Sequence, residues 1–482
     1  MQTNLSLLKS KYHHMTADSR LVKAGSVFVA YKGEATDGRE FIPQAIENGA
    51  SAVIWEQADF TWRDEWQLPN QAIVDLKQQI GRIASEFYGQ PSQHLWMIGV
   101  TGTNGKTTCT HWLAEAFSAL NKKAAVVGTL GNGILSDGLS ETKNTTPDSI
   151  LLQQMLADYL GQQASVVAME VSSHGLDQGR VNGVSFDIAV FTNLTRDHLD
   201  YHGDMQAYAA AKKKLFAWDG LKVAVLNRDD AFGLEVAQEL KAQGKRVLTY
   251  GLEKAIANDA DISVKSLELT EQGMRLEVQT PFGDAVISAG VVGRFNAYNL
   301  LAVLATLLAS NVSLNDAVKT LATLKPVAGR MQQYGGGKLP LVVIDYAHTP
   351  DALEQVLKSL RAQTKGQLVC VFGCGGDRDS GKRALMGKVA SELADKVIVT
   401  SDNPRSELPA EIIKAVMNGV KQNAISIENR ADAIAHAIEN AQAGDVILLA
   451  GKGHENYQEI AGVKYPFSDI EMAQHFLQER AA

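Results

Sequence analysis

The sequence predicts an α/β protein of three domains: a small α/β N-terminal domain, a central domain with a mainly parallel sheet, and a C-terminal Rossmann-like doubly wound domain. Three observations lead there. The chain has 482 residues, 45% hydrophobic and 21% charged, enough to bury more than one core. Short apolar runs alternate with helical segments, the pattern of a parallel sheet covered on both faces. That alternation breaks in a β-rich stretch at 261–292 and restarts after the glycines at 335–337.

In the first domain, residues 1–88, strand-like runs at 26–30 and 52–55 are separated by Gly-containing turns, and one helical stretch ends near Phe87 and Tyr88. Gly-Gln-Pro at 89–91 closes it. The central domain, 89–327, opens with a strand at 96–100, a Gly-rich loop and a helix at 111–120; further strands are expected at 124–127, 166–170, 188–192 and 223–227. The stretch 261–292 should add antiparallel strands to the same domain. In the C-terminal domain, 328–482, apolar runs at 341–344, 368–372, 396–400 and 446–450 are each followed by a polar, Gly-rich or Pro-containing loop. Doubly wound sheets bind ligands in the crevice beyond the carboxyl ends of such strands.

Composition excludes several classes of function. A net charge of -8 argues against a general nucleic-acid surface, which needs a basic face to displace counterions. Three cysteines, Cys109, Cys370 and Cys374, are too few and too oddly numbered for a disulfide framework, which fits a reducing cytosol. Cys370 and Cys374 lie in an apolar strand-like run and do not resemble half a zinc site. The N-terminus has neither an apolar core nor a small-residue cleavage site, so nothing suggests export. The longest apolar stretch, 300–309, is too short to span a bilayer and reads as a buried helix. A cytoplasmic monomer without membrane insertion is the expectation.

The chemistry begins at Thr-Gly-Thr-Asn-Gly-Lys-Thr-Thr, 101–108. Glycines let backbone N–H groups curl around phosphate oxygens, Lys106 neutralises β/γ charge, and the Thr107 hydroxyl suits Mg²⁺. Val100 stands where the general phosphate-loop pattern has its first Gly, so the loop is of a shorter Gly102-x-x-Gly105-Lys-Thr type and generic kinases and GTPases recede. Glu170 ends a strand, where a carboxylate can hold the metal that bridges nucleotide phosphates. Asp197, His198, Asp200 and His202 crowd one loop; a metal site and a polar loop whose side chains cap one another are both open readings.

Five motifs then occur in order: Gly-Thr-Asn-Gly-Lys-Thr-Thr at 102–108, Glu-Val-Ser-Ser-His-Gly-Leu at 170–176, Asn-Leu-Thr-Arg-Asp-His-Leu-Asp-Tyr-His-Gly at 193–203, Gly-Arg-Phe-Asn-Ala-Tyr-Asn at 293–299 and Asp-Tyr-Ala-His-Thr-Pro-Asp at 345–351. Together they resemble the muramyl ligases; the related folylpolyglutamate synthetases share only part of the set. The resemblance implies a UDP-substrate-binding first domain, a central P-loop ATPase and a C-terminal domain that receives an amino acid. It also implies the reaction. The γ-phosphate of ATP passes to a substrate carboxylate, an amine attacks the acyl phosphate, and amide and phosphate are released, in the synthesis of peptidoglycan precursors.

Residue by residue, the resemblance assigns Gly102, Thr103, Asn104, Gly105, Lys106, Thr107, Thr108, Asn299, Arg330 and Asp345 to ATP, with His348 close by. Thr107 and Glu170 would hold a first Mg²⁺ and His198 would approach a second. Lys212 falls where the family has a carbamylated lysine; a carbamate can ligate a cation, an ammonium cannot. Its neighbours Lys213 and Lys214 leave a solvated basic helix face as the alternative. Lys106, Lys212 and His198 are thus the implied catalytic group. Asn144, Thr145, Thr146, Ser172, Gln178 and Arg180 match the sugar-peptide site, with Arg180 a natural carboxylate partner. Ser19, Glu34, Ala35 and Thr36 fall at uridine positions.

Asp402, Asn403, Pro404 and Arg405 resemble the family's signature for meso-diaminopimelate addition. The resemblance then implies UDP-N-acetylmuramoyl-L-alanyl-D-glutamate, a UDP-N-acetylmuramoyl-dipeptide, as the acceptor. Diaminopimelate differs from lysine by a second carboxylate, which an arginine fork pairs bidentately. Lysine would leave Arg405 unpaired, an expensive vacancy in a closed site. Arg378, Gly451 and Glu455 match the remaining amino-acid contacts, Glu455 as the holder of the distal ammonium. Rival readings are a lysine-adding muramyl ligase, disfavoured by Arg405; a folylpolyglutamate synthetase, disfavoured by the loop 402–405; and a nucleotide-binding protein without chemistry, disfavoured by intact Lys106, Glu170, His198 and Lys212.

Overall fold

The structure, a computed structural model, describes residues 12–33, 36–142, 144–253, 260–270, 273–421 and 424–481. The chain forms two compact units that interleave along the sequence: Met1–Thr101, Phe117–Ala189 and Ala211–Val223 in one, Gly102–Ala116, Val190–Ala210 and Ala224–Ala482 in the other.

In the first unit, β1 (His14–Thr16), β2 (Ser26–Ala30), β3 (Ala52–Glu56) and β4 (Asn70–Ile73) form a parallel sheet in that order. Side chains alternate across it, as the two-residue period of a strand requires. Val27, Val29, Ala52 and Ile54 pack on the helix Leu76–Phe87, while Phe28, Ala30, Val53 and Trp55 pack on Ile42 and Ala45. The helix is the one expected to end near Phe87. β1 and β4 are additional, being too short or too polar to show an apolar run. The unit also holds β5 (Trp96–Thr101), β6 (Ala124–Gly128), β7 (Gly131–Ile134) and β8 (Val166–Glu170), ordered β5-β8-β6-β7 and parallel except for β7. β7, Gly-Asn-Gly-Ile, gives no sequence signal.

β9 (Ile188–Phe191) carries the chain into the second unit. There β10 (Val223–Asn227), β11 (Val247–Gly251) and β12 (Ile262–Thr270) lie parallel, and β13 (Gly273–Thr280) and β14 (Gly283–Ala289) continue antiparallel. The stretch expected to add antiparallel strands thus begins with one, β12, that runs parallel to β11 with Tyr250 opposite Ile262; the antiparallel pairs are β12 with β13 and β13 with β14. The helix Arg294–Ala309 has 13 of its 16 residues buried, which makes the apolar stretch a core helix. Among the described residues no helix is long and apolar enough to cross a membrane.

The last sheet contains β15 (Gln332–Gly335), β16 (Leu341–Asp345), β17 (Leu368–Phe372), β18 (Lys396–Val399), β19 (Ala424–Ser426) and β20 (Val446–Ala450) in the order β15-β16-β20-β17-β18-β19, with only β15 antiparallel. Its faces alternate strictly. Val343, Cys370, Phe372, Val397 and Leu448 enter one core, and Val342, Ile344, Val371, Ile398 and Leu449 the other. Helices cover both faces, so this is the doubly wound sheet expected. The edge strands β15 and β19 and a hairpin of β21 (Tyr457–Ile460) and β22 (Val463–Pro466) escape sequence patterning because they are short and largely polar. Cys370 and Cys374 are buried free thiols, and burial pushes the Cys374 thiol up to about 12.

Candidate active site

The phosphate loop hangs on neighbouring polar groups. The Thr103 amide donates to the Asn193 carbonyl at 2.8 Å, the Asn104 amide to Asn193 Oδ1 at 2.9 Å, and Thr192 Oγ1 to the Asn104 carbonyl at 2.6 Å. Thr103 Oγ1 lies 3.1 Å from the Tyr208 hydroxyl. Gly105 has φ +87° and a Cβ there would sit 2.5 Å from Asn299 Oδ1, so no other residue fits. The helix that follows starts at Lys106, not at 111 as the apolar pattern suggests. Lys106, Thr107 and Thr108 thus form its first turn, and the amides and positive dipole end of a helix N-terminus favour an anion. Lys106 Nζ folds back onto the Gly102 and Thr103 carbonyls at 2.9 and 2.8 Å.

Around this turn the second unit gathers Arg330, which donates to Thr107 Oγ1 at 3.2 Å and stacks 4.4 Å above the Tyr346 ring. Asn299 is buried, donating to Asn296 Oδ1 at 2.9 Å. Asp345 accepts from the Met331 and Ala347 amides at 2.9 and 2.8 Å, so its carboxylate shapes the loop after β16; burial raises its pKa, against the pull of Arg330. His111 and His454 are each pushed down to about 4 by burial and by the Arg330 charge, and are neutral imidazoles.

The loop after β9 resolves part of the choice left open there. Asp197 is buried, with His198 Nε2 at 3.4 Å, His348 Nε2 at 3.6 Å and Lys382 Nζ at 3.8 Å from its carboxylate. Burial alone would raise the Asp197 carboxyl; the hydrogen bond from His348 and the charges of His198, His348 and Lys382 outweigh it and hold the group well below the usual carboxylate range. Asp200 is exposed. Among the described residues no three His, Cys, Asp or Glu side chains come together as a metal cluster, so Asp197, Asp200 and His202 do not form one with His198.

In the first unit Glu170, 1% exposed, accepts from the Thr129 amide at 2.7 Å and from Thr129 Oγ1 at 3.2 Å. Thr129 Oγ1 touches Thr145 Oγ1 at 3.1 Å. Thr146 Oγ1 donates to the Glu170 carbonyl at 2.9 Å and lies 3.0 Å from Ser172 Oγ. Arg180 donates to the Thr146 carbonyl at 3.0 Å and, through Nε, to Gln178 Oε1 at 2.9 Å. Thr145, Thr146, Ser172, Gln178 and Arg180 therefore form one connected group beside Glu170, and Asn144 stands exposed at its rim. Such a carboxylate fits Mg²⁺, which keeps several waters and needs only one or two protein carboxylates beside substrate phosphates. Lys212 is 1% exposed while Lys214 is exposed, so the solvated-face alternative fails for Lys212. Ser19 Oγ donates to Gln44 Oε1 at 2.7 Å, and the Thr36 carbonyl accepts from the Gly33 amide at 2.8 Å. Glu34 and Ala35 lie outside the described residues.

Three loops leave the neighbouring strands β20, β17 and β18 at their carboxyl ends. Asp402, Asn403 and Pro404 are buried, and the Arg405 NH1 group donates to the Gly376 carbonyl of the loop after β17 at 2.8 Å. Glu455 Oε2 accepts from Asn403 Nδ2 at 2.9 Å and from Lys452 Nζ at 3.0 Å. Gly451 donates to the Asp345 carbonyl at 3.1 Å. Beneath them Arg430 and Asp469, both 0% exposed, pair at 2.7 Å, and Arg430 also donates to the Ala450 carbonyl at 2.9 Å. Arg378 is exposed, its NH1 on the Asp377 carbonyl.

With this geometry in view, residues 11–88, 100–307 and 329–453 match the Mur ligase family, catalytic domain, the Mur ligase middle domain and the Mur ligase, glutamate ligase domain. The chain belongs to the Mur ligase family. Two relatives named UDP-N-acetylmuramoyl-L-alanyl-D-glutamate--2,6-diaminopimelate ligase, from Chromobacterium violaceum and Nitrosomonas europaea, are 55% and 49% identical over 96% and 99% of this chain and 93% and 95% of their own lengths. A solved structure of a protein of that name is 40% identical, covers 98% of this chain and 96% of its own, and has a TM-score of 0.68.

As a Mur ligase, the chain has the α/β, mainly parallel sheets and three-domain architecture anticipated from its sequence. Sequence reasoning missed Thr129, Tyr346, Lys382 and Lys452. Thr129 and Lys382 sit in no motif. Lys452 lies in Gly-Lys-Gly-His-Glu, of which the sequence singles out only Gly451 and Glu455; a lysine two residues beyond a fully apolar strand is the available signal.

Proposed function

We propose that this Mur ligase joins meso-diaminopimelate to the D-glutamate carboxylate of UDP-N-acetylmuramoyl-L-alanyl-D-glutamate, using ATP and releasing ADP and phosphate, in peptidoglycan precursor synthesis. Residues 1–88 take the UDP end of the acceptor, 89–327 the ATP, and 328–482 the amino acid. The first-turn amides after Lys106, together with Lys106 and Arg330, receive the nucleotide phosphates. Bound Mg²⁺ would neutralise phosphate charge; the residues that would hold it are those the family resemblance implies, Glu170 and Thr107, with His198 toward a second ion and a carbamylated Lys212 as a further ligand. The group around Thr146 and Arg180 orients the acceptor. Transfer of the γ-phosphoryl group gives the acyl phosphate a leaving group; attack by the amine, with loss of its proton, expels phosphate. Positioning and charge neutralisation supply most of the rate.

The observation that carries the choice of amine is Arg405, whose guanidinium stands partly open, with a side chain 21% exposed, among loops from three adjacent strands. Phosphate release should be measured with ATP, Mg²⁺ and the UDP-linked dipeptide, with meso-diaminopimelate or L-lysine as the amine. A strong preference for diaminopimelate, lost in Arg405→Ala, is expected. Equal rates would refute the specificity, and no turnover with either would refute the acceptor.

A further inference from the structure

Arg405 is not a vacant fork, contrary to the expectation that a missing carboxylate leaves it unpaired. Its Nε lies 3.3 Å from Glu459 Oε2. The backbone reinforces the pair. The Arg405 amide donates to the Glu459 carbonyl at 3.1 Å and the Ala461 amide to the Arg405 carbonyl at 2.7 Å. Between them these bonds hold Arg405 at φ +51°, a left-handed conformation that a side chain with a Cβ rarely adopts. The Glu459 amide donates to Asn403 Oδ1 at 2.9 Å and Gln458 Nε2 to the Asp402 carbonyl at 2.7 Å. β21 is thus bonded to the loop 402–405 along most of its length, and Glu459 is fixed beside Arg405. Their side chains are 26% and 21% exposed, so the pair is partly desolvated yet open to a ligand. Glu455 differs, since its Oε2 is committed to Asn403 and to Lys452, whose side chain is 0% exposed.

We propose that Glu459 is a specificity-determining residue for the incoming amine, acting as the resting counter-ion of Arg405 and presenting with it an anion and a cation side by side. The inference rests on the diaminopimelate reading above. The distal carbon of diaminopimelate bears an ammonium and a carboxylate, the inverse of that pair. The carboxylate takes the donors of Arg405, and the ammonium takes Glu459. Lysine brings the ammonium alone. It gains Glu459 and finds Arg405 already half-neutralised, so its refusal is weaker than a bare guanidinium would enforce. Removing the Glu459 charge therefore sharpens selection.

The test is kcat/KM for meso-diaminopimelate and for L-lysine in the full chain, for wild type, Glu459→Gln, Glu459→Asp, Arg405→Ala and Arg405→Ala/Glu459→Gln. Where lysine turns over too slowly to time, its Ki against diaminopimelate supplies the same ratio. Glu459→Gln should raise the diaminopimelate-over-lysine ratio roughly three- to tenfold, through the lysine KM. Glu459→Asp, which keeps the charge, should stay near wild type, and the effect of Glu459→Gln should vanish once Arg405 is gone. A ratio unmoved by Glu459→Gln, or moved equally in both Arg405 backgrounds, overturns the proposal while leaving the ligase reading in place. Failure of the wild type to use diaminopimelate refutes that reading itself, and this inference with it.

Discussion

The phosphate loop is fastened mainly by uncharged partners, Thr192, Asn193 and Tyr208, with Asp351 on Asn104 and Arg330 on Thr107 as the exceptions, whereas the loops beyond β17, β18 and β20 are fastened by ions: Arg383 on Glu407, Lys452 on Glu455, Arg405 on Glu459, above the buried Arg430–Asp469 pair. On the function proposed above, the difference follows from what each must recognise. A loop that receives a polyphosphate gains most from many amide donors and one cation near the ligand; fixed carboxylates there would repel it. A loop that tells one zwitterion from another needs fixed charges of both signs at set places, and those charges must be held against their desolvation cost.

The largest break in that comparison should come from Asp469→Ala. It leaves Arg430, 0% exposed, without its counter-ion, and stability should fall by about 3–5 kcal/mol in urea titration; a loss below about 1 kcal/mol would show that the ionic scaffold is dispensable. Next comes Lys106→Met, which removes the charge of the phosphate loop and its bonds to the Gly102 and Thr103 carbonyls but leaves the fasteners from Thr192, Asn193 and Tyr208 in place. Turnover should drop roughly 10²- to 10³-fold with the melting temperature little changed, and a collapse in melting temperature would mean that the lysine is itself a fastener.

A smaller effect is expected from acid. Because burial depresses the pKa of His111 from 6.5 to about 4, its contribution to stability is complete above 6.5 and is lost as pH falls toward 4. That loss is about 3 kcal/mol, to be read as a slope of unfolding free energy against pH that His111→Phe flattens. The smallest concerns Arg196 and Asp379, an exposed ionic contact at 3.1 Å with Arg196 43% exposed; Arg196→Ala should cost under about 1 kcal/mol in the same titration. A larger cost would bring an exposed pair up to the level of the buried ones and blunt the distinction.

The sequence discloses whatever rests on local pattern. Buried strands such as β17 and β20 are unbroken apolar runs, and the Gly-x-x-Gly-Lys-Thr loop points to its ligand because glycines and a lysine at that spacing suit phosphate. What it conceals is set by partners distant in the chain. Three consecutive lysines look alike until packing buries Lys212 and leaves Lys214 in water. Asp197 reads as one acid among several, yet it meets His348 and Lys382, brought to it by other elements. Glu459 lies in a short strand of Tyr-Gln-Glu-Ile with no apolar alternation, so neither the strand nor its grip on Arg405 is visible beforehand.

The strand order of the last sheet has a consequence for the chain as it is made. β20, residues 446–450, lies between β16 and β17, which are synthesised well before it. Until the ribosome has released residue 450, β16 and β17 flank a gap and present unpaired edges of valine and leucine, the kind of surface that recruits other chains. The same late segment leads directly into Gly451, Lys452, Glu455 and Glu459. A nascent or truncated chain that lacks it therefore has an interrupted sheet and, on the function proposed above, lacks part of the amine site, so completion of the fold and acquisition of amino-acid selectivity would fall at one step of synthesis.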